Sequence, residues 1–270
     1  MVAQELNKSP FFKIIIPNYN NGKYIEACLN SILKQTFQEF EIIIIDDVSD
    51  DNSVEIINKY CKEYSNIHSI LLKEKRWNGG SRNLGIDFKS SAPYTLFIDS
   101  DDEFDDNFCL DSIYKIIIAN NYPDCIRLSY NWCGDEKRSV ILTQSTPADL
   151  VAVCDVACWT KCIKTELIQH FPENTLMEDV VQHIAQCDVL QTVVPCLKPI
   201  VNWNRNNPTS CSTNANLQNG KWLSSMYRYC ADLMDLQCKT SYCEAHRVYR
   251  METAQKDIKN NITRQEKEEI

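Results

Sequence analysis

Three short apolar runs organise the N-terminal part of this chain: Phe11–Pro17 (FFKIIIP), Phe40–Asp47 (FEIIIIDD) and Tyr94–Asp102 (YTLFIDSDD). Each is continuous rather than alternating and is rich in β-branched or aromatic side chains, the pattern of strands buried on both faces of a parallel sheet. Between them apolar positions recur with a helical period, at Tyr24, Ile25, Cys28, Ile32 and Leu33, and again at Val54, Ile57, Cys61 and Tyr64. Asp50, Asp51, Asn52 and Ser53 stand where the second helix begins and supply its N-cap. A strand–helix–strand–helix–loop–strand–helix order predicts an α/β fold with right-handed crossovers.

Farther along, the patterning predicts a helix over Phe108–Ile118, a strand over Asp124–Trp132, and a hairpin or strand in DEKRSVILT. A short helix follows over Leu176–Cys187, then one or two strands in LQTVVPCLKPIVNWN. From Ala215 onward the character turns helical and ends in a Glu/Lys/Arg-rich stretch. The expected organisation is one α/β domain over residues 1–210 and a C-terminal helical extension over 211–270, with a soft boundary because no linker or repeat marks it.

Composition changes this picture little. Hydrophobic residues make up 44% and charged residues 24%, as in ordinary globular proteins. A net charge of −9 argues against a general binder of phosphate backbones, so nucleic acid is disfavoured as a partner. No apolar stretch approaches the ~18 residues of a membrane span, and MVAQELNKSPFFK lacks the basic-then-apolar layout of a signal peptide. The expected location is cytoplasmic. The stretch KWLSSMYRYCADLM, with Trp222, Met226, Tyr229 and Leu233 on one helical face, suits packing on the core, a homodimer through the C-terminal helices, or peripheral contact with a membrane surface. Fourteen cysteines without a single C-x-x-C pair read as buried or free thiols in a reducing compartment, and the four-residue spacing of Cys154, Cys158 and Cys162 fits a buried stripe.

The candidate chemistry lies where the apolar runs end. Ligands of open parallel sheets bind beyond the carboxyl ends of the strands, and there the chain places Pro17-Asn18-Tyr19-Asn20, Asp46-Asp47 and Asp99-Ser100-Asp101-Asp102. Asp99 and Asp101, two apart, suit a D-x-D site in which carboxylates share Mg²⁺ or Mn²⁺ with a diphosphate; an acidic, solvated helix start is the alternative. Asp102 and Glu103 are adjacent, and Asp105 and Asp106 read as caps of the following helix. The Asp46-Asp47 turn either caps a helix or accepts hydrogen bonds from a nucleobase or ribose. In WNGGSRNLGID, Gly79 and Gly80 permit close backbone approach, and Arg82 is expected near a helix start where anions bind, although the stretch is neither a dinucleotide fingerprint nor a Walker A loop.

Taken in order, IIIPNYNNGKYIEACLNSILKQTFQEFEIIIIDDVSDDNS, NGGSRNLGID and LFIDSDDEF resemble the GT-A-fold glycosyltransferases of family 2, over roughly residues 12–210. The resemblance implies a mostly parallel central sheet flanked by helices. It also implies inverting, metal-dependent transfer of a sugar from a nucleotide-diphosphate donor, a UDP-sugar, to a hydroxyl on a saccharide, lipid-linked or protein acceptor.

Carried over by position, Pro17 and Tyr19 match the nucleotide-facing turn, and one of Asp46 and Asp47 the reader of the base. Gly80 and Arg82 match the loop beside base and diphosphate. Asp99 matches an acid that meets the ribose or metal, with Ser100 beside it, and Asp101 the principal metal ligand. The stretch MEDVVQH resembles the family's E-D motif, which makes Asp179 the catalytic base; His183 on the same helix face reads as an ordinary surface histidine. ACWTKCIKTELI resembles the W-x-K strand, and NWNRNNPTSCS the segment that covers the diphosphate, with Arg205 as its phosphate contact. Val48 departs from the family turn, which carries Gly there. A sugar-nucleotide nucleotidyltransferase and a non-catalytic nucleotide- or glycan-binding relative are the alternatives; PNYNNGKY lacks the Gly-rich, basic loop that the former needs.

Overall fold

The structure is a computed structural model, and it describes residues 9–153, 156–173 and 178–210. The predicted 211–270 extension, with its dimer and membrane contacts, lies outside the described residues, as does Cys154.

The chain begins β1 (Phe12–Asn18), α1 (Ile25–Leu33), β2 (Phe40–Asp46), α2 (Ser53–Glu63), β3 (Ile67–Leu71), α3 (Trp77–Asp87) and β4 (Tyr94–Phe97). It continues with β5 (Glu103–Phe104), α4 (Cys109–Ala119), β6 (Cys125–Cys133), β7 (Lys137–Val140) and α5 (Pro147–Val153). β8 (Lys161–Lys164), α6 (Glu178–Val189) and β9 (Val193–Asn204) complete it. One sheet runs β3-β2-β1-β4-β8-β6-β9-β5, with β7 paired to β6. β3, β2, β1 and β4 are mutually parallel, and β6 is parallel to β9; β8, β5 and β7 pair antiparallel to their neighbours.

The continuous apolar runs became the central parallel strands. All seven positions of β1 and of β2 are buried, with Ile14, Ile15, Ile16 and Ile42 to Ile45 at the heart of the core. Lys13 is buried among them because its ammonium donates to the carbonyls of Ile86 and Phe88 at the end of α3. β3 was not visible as a run: it is an edge strand in which His68 and Ser69 are half-buried, so its sequence has no continuous apolar signal. The DEKRSVILT segment forms a hairpin with β6, and the stretch expected as one or two strands is the single strand β9. α3 lies tight on the sheet. A Cβ on Gly85 would fall 2.5 Å from the Ile15 side chain, and one on Gly79 would fall 2.4 Å from the Pro172 carbonyl. The close approach expected at Gly79 is therefore to the protein's own backbone.

The cysteines fit the thiol expectation. Nine described cysteines are free and seven of these are buried; Cys158 sits in a short 3-10 turn and Cys162 in β8, so they do not form a helical stripe. His183 is corrected from a surface residue to a buried one, 1% exposed, with Nε2 3.1 Å from the Leu150 carbonyl.

Val48 adopts φ 63°, a left-handed conformation that costs a β-branched residue about 1–2 kcal/mol. The turn thus keeps a glycine-type conformation without glycine. Since Val48 is well exposed, Val48→Gly is expected to stabilise the protein by about 0.5–1 kcal/mol after the entropic cost of glycine. A thermal melt checks this, and a lower melting temperature would mean that the valine side chain contributes more than its strain.

Candidate active site

Because β1 to β4 are parallel, their carboxyl ends open on one edge, and the turns leaving them interlock there. Asp46 is buried at the end of β2. Its Oδ2 accepts from Asn18 Nδ2 (2.8 Å) and Ser49 Oγ (2.7 Å), and its Oδ1 accepts from the Ser49 amide (3.0 Å). Asp47, also buried, accepts from the amides of Arg76 (2.6 Å) and Trp77 (2.9 Å) and so anchors the start of α3. Both acids bind the turns of their own chain. Pro17 is buried in β1, and Tyr19 projects 44% exposed from its end. Asp51, among the expected caps of α2, accepts from the Ser53 amide (2.9 Å) and from the Gly22 amide (2.7 Å).

The acidic stretch does not alternate along a strand as its spacing suggested. β4 ends at Phe97, and Asp99 to Asp102 form a turn closed by the Asp102 amide donating to the Asp99 carbonyl (3.0 Å). Asp99 accepts from Arg82 Nη2 at 2.8 Å, while Asp101 Oδ2 accepts from Asn207 Nδ2 at 2.6 Å. The buried Ser100 hydroxyl accepts from Asn21 Nδ2 at 2.8 Å. Asp102 is buried against β9; its Oδ1 accepts from the Asn204 amide (2.8 Å), and its Oδ2 has no hydrogen-bond partner. Burial, then the Asp99 carboxylate, raises the Asp101 pKa, and burial with Asp99 and Asp101 pushes Asp102 well above the carboxylate range. Asp106 accepts from the Phe108 amide near the start of α4, but Asp105 instead pairs with Lys137 at 2.7 Å and is not a cap.

Among the described residues no three His, Cys, Asp or Glu side chains cluster closely enough to hold a metal by themselves. The oxygen donors of the Asp99–Asp102 turn nevertheless fit a hard divalent ion, which takes one or two carboxylates and completes its shell with phosphate oxygens and water. The crowded acids and the unpaired Oδ2 of Asp102 are compatible with such an ion.

Arg82 is displaced from its expected place. α3 starts at Trp77, so Arg82 lies in the body of the helix, 2% exposed, and is no helix-terminal anion contact. Its Nη1 sits 2.5 Å from Glu178 Oε1 and 3.8 Å from Asp179 Oδ1, while Nη2 holds Asp99. Burial would lower its pKa, but the carboxyl groups of Asp99, Glu178 and Asp179 around it carry it well above the usual value. Glu178 is pushed up by burial and by Asp179, with Arg82 acting in the opposite sense. Glu178 and Asp179 open α6; the Glu178 side chain is 6% exposed and locked on Arg82, whereas that of Asp179 is 26% exposed. Gly80 lies against its own helix, where a Cβ would meet Arg76 Cβ at 2.8 Å.

Arg205 follows β9, its guanidinium 4.5 Å from the Trp203 ring centre and 4.7 Å from that of Trp132. Nothing in the sequence pattern pointed to Asn207, which is 2% exposed and reaches both Asp101 and Asn21 Oδ1 (3.3 Å). Asparagine among asparagines, in NRNNP, has no periodicity to betray it. Glu178 was visible only as the neighbour of the expected base.

A parallel β1–β4 half with an acid-lined edge, continued by a mixed half that brings α6 and β9 against the same acids, is the GT-A arrangement. The match to solved structures agrees. Staphylococcus aureus TarS 1–349 in complex with UDP-GlcNAc superposes with a TM-score of 0.72, at 20% identity over 87% of this chain and 70% of that one. A mannosyltransferase of Pyrobaculum calidifontis, PcManGT, in complex with GDP-Man and Mn²⁺, matches with a TM-score of 0.56, at 14% identity over 82% of this chain and 61% of that one. The chain belongs to glycosyl transferase family 2, whose sequence profile matches residues 13–193. Glycosyltransferase GlyG of Streptococcus pneumoniae is 32% identical over 124 residues, 46% of this chain and 40% of GlyG. Less than half the length of such curated relatives is matched. No described helix is long and apolar enough to cross a membrane.

Proposed function

We propose that this chain is an inverting, metal-dependent glycosyltransferase that moves a sugar from a UDP-sugar to a hydroxyl group of a saccharide, lipid-linked or protein acceptor. The observation that carries the reading is the contrast at the start of α6. Of two adjacent acids, Glu178 is buried on Arg82, whereas Asp179 is partly exposed and lies 3.8 Å from the same arginine. An alcohol barely ionises near neutral pH, so a carboxylate must take its proton as the new bond forms. Asp179 is the acid free to do so. With Asp179 and the diphosphate on opposite faces of the sugar, a single displacement inverts the anomeric carbon.

Asp99 and Asp101 would hold the divalent ion, which supplies charge neutralisation for the departing diphosphate. Asn207 orients Asp101, and Arg205, packed against the Trp132 and Trp203 indole rings, offers a guanidinium to phosphate oxygens. The UDP-GlcNAc named with TarS supports a uridine donor, and the Mn²⁺ named with PcManGT supports the ion.

The test is a Mn²⁺ titration of UDP binding. Asp101→Ala is expected to abolish the metal-stimulated part of the affinity, and a titration unchanged from wild type would overturn the metal assignment.

A further inference from the structure

The chain leaving β3 forms a wall beside the carboxyl end of β2, just ahead of the WNGGSRNLGID helix. The Leu72 amide donates to the Asp46 carbonyl (2.9 Å), and Asp47 clamps the amides of Arg76 and Trp77, so residues 72–77 are fixed against the carboxyl end of β2. Within this wall Trp77 takes φ 60°, a left-handed conformation that a bulky residue rarely adopts, and its side chain is 40% exposed. Tyr19 is likewise exposed. Lys75 Nζ lies 3.0 Å from the centre of the Tyr19 ring and 5.2 Å from that of Trp77. Among the described residues Lys75 makes no salt bridge. Its ammonium lies over these ring faces, held by cation–π attraction.

We propose that Lys75 is a specificity-determining residue that reads the carbonyl edge of the donor's nucleobase beside Tyr19. The inference rests on the nucleotide-sugar reading above and deepens it. A planar base stacking on Tyr19 takes the ring face on which the ammonium rests, and the flexible lysine stem lets the ammonium swing to the edge of the base. An ammonium has three donors and no acceptor. It therefore favours a base that presents carbonyl oxygens, as uracil does, and opposes one that presents an amino group there, as cytosine does. Asp46 and Asp47 already accept two or three hydrogen bonds each from their own turns, which leaves the pair with reduced capacity to carry this choice.

Calorimetric titration of the full chain with UDP and with CDP, each with Mn²⁺, tests the proposal on wild type, Lys75→Met and Lys75→Arg. Wild type is expected to bind UDP about tenfold more tightly than CDP, the effect of one charge-assisted hydrogen bond. Lys75→Met keeps the apolar length without the charge, and it should weaken UDP about tenfold while leaving CDP within about twofold. Lys75→Arg should retain the preference. Equal weakening of both nucleotides would reduce Lys75 to a general attraction for the diphosphate and overturn the proposal, as would no change in either. Failure of wild type to bind any nucleotide diphosphate would overturn the donor reading, and this inference with it.

Discussion

Asp179→Asn is expected to lower the turnover of sugar transfer by about a thousandfold, within the range that a positioned general base contributes, while UDP binding with Mn²⁺ stays within about twofold. The separation follows from geometry. Asp179 is linked to the donor-side acid Asp99 through Arg82, at 3.8 Å, and the substitution keeps the shape of the side chain. Asparagine cannot accept a proton at neutral pH, yet it can still donate to or accept from whatever approaches α6. Glu178→Gln is the informative partner variant. If Glu178 were the base, its amide would abolish transfer and Asp179→Asn would be mild. The burial of Glu178 on Arg82 predicts the reverse order for the chemical step, with Glu178→Gln showing its larger effect in stability. Near-normal turnover by Asp179→Asn would overturn the base assignment.

How much of this was legible beforehand follows the physics of each element. β1, β2 and β4 were plain because strands buried on both faces must be apolar at every position, and a short run of isoleucines suits little else. β3 was hidden because an edge strand is apolar on one side at most, and with it went the wall carrying Lys75 and Trp77. The acids of the site were legible as residues but not as contacts. Spacing put Asp99 and Asp101 on one side of a strand, whereas the strand stops at Phe97 and a turn sends one to Arg82 and the other to Asn207. Val48 shows the converse. A residue ill-suited to φ 63° raised a doubt about the turn, but the hydrogen bonds of Asp46 to Asn18 and Ser49 hold the turn regardless. Long-range partners of this kind leave no periodicity in the sequence, because Arg82 and Glu178 are 96 residues apart.

That pairing sets the second large effect. Arg82→Met is expected to destabilise the protein by about 3–5 kcal/mol, the cost of leaving the buried Glu178 without its partner. For a chain of this size that is a fall of roughly 10 °C or more in melting temperature. Arg82 is 2% exposed, and its two terminal nitrogens bridge a buried glutamate on α6 to an aspartate on the turn after β4. The guanidinium therefore joins the helix that carries Asp179 to the acidic turn after β4. Arg82→Lys should restore only part of the loss, since a single ammonium lacks the planar fork that meets two carboxylates at once. In the double variant Arg82→Met/Glu178→Gln the buried negative charge is removed along with its cation, and it should be more stable than Arg82→Met alone, a coupling that a double-mutant cycle measures. The resemblance to family 2 led to a different expectation, in which Arg82 contacts the donor. On that account Arg82→Met would weaken UDP binding strongly while barely moving the melting temperature, and the cycle with Glu178 would be additive. Since Nη1 and Nη2 are already engaged by Glu178 and Asp99, the structure favours the strut, and the melting temperature decides between the two.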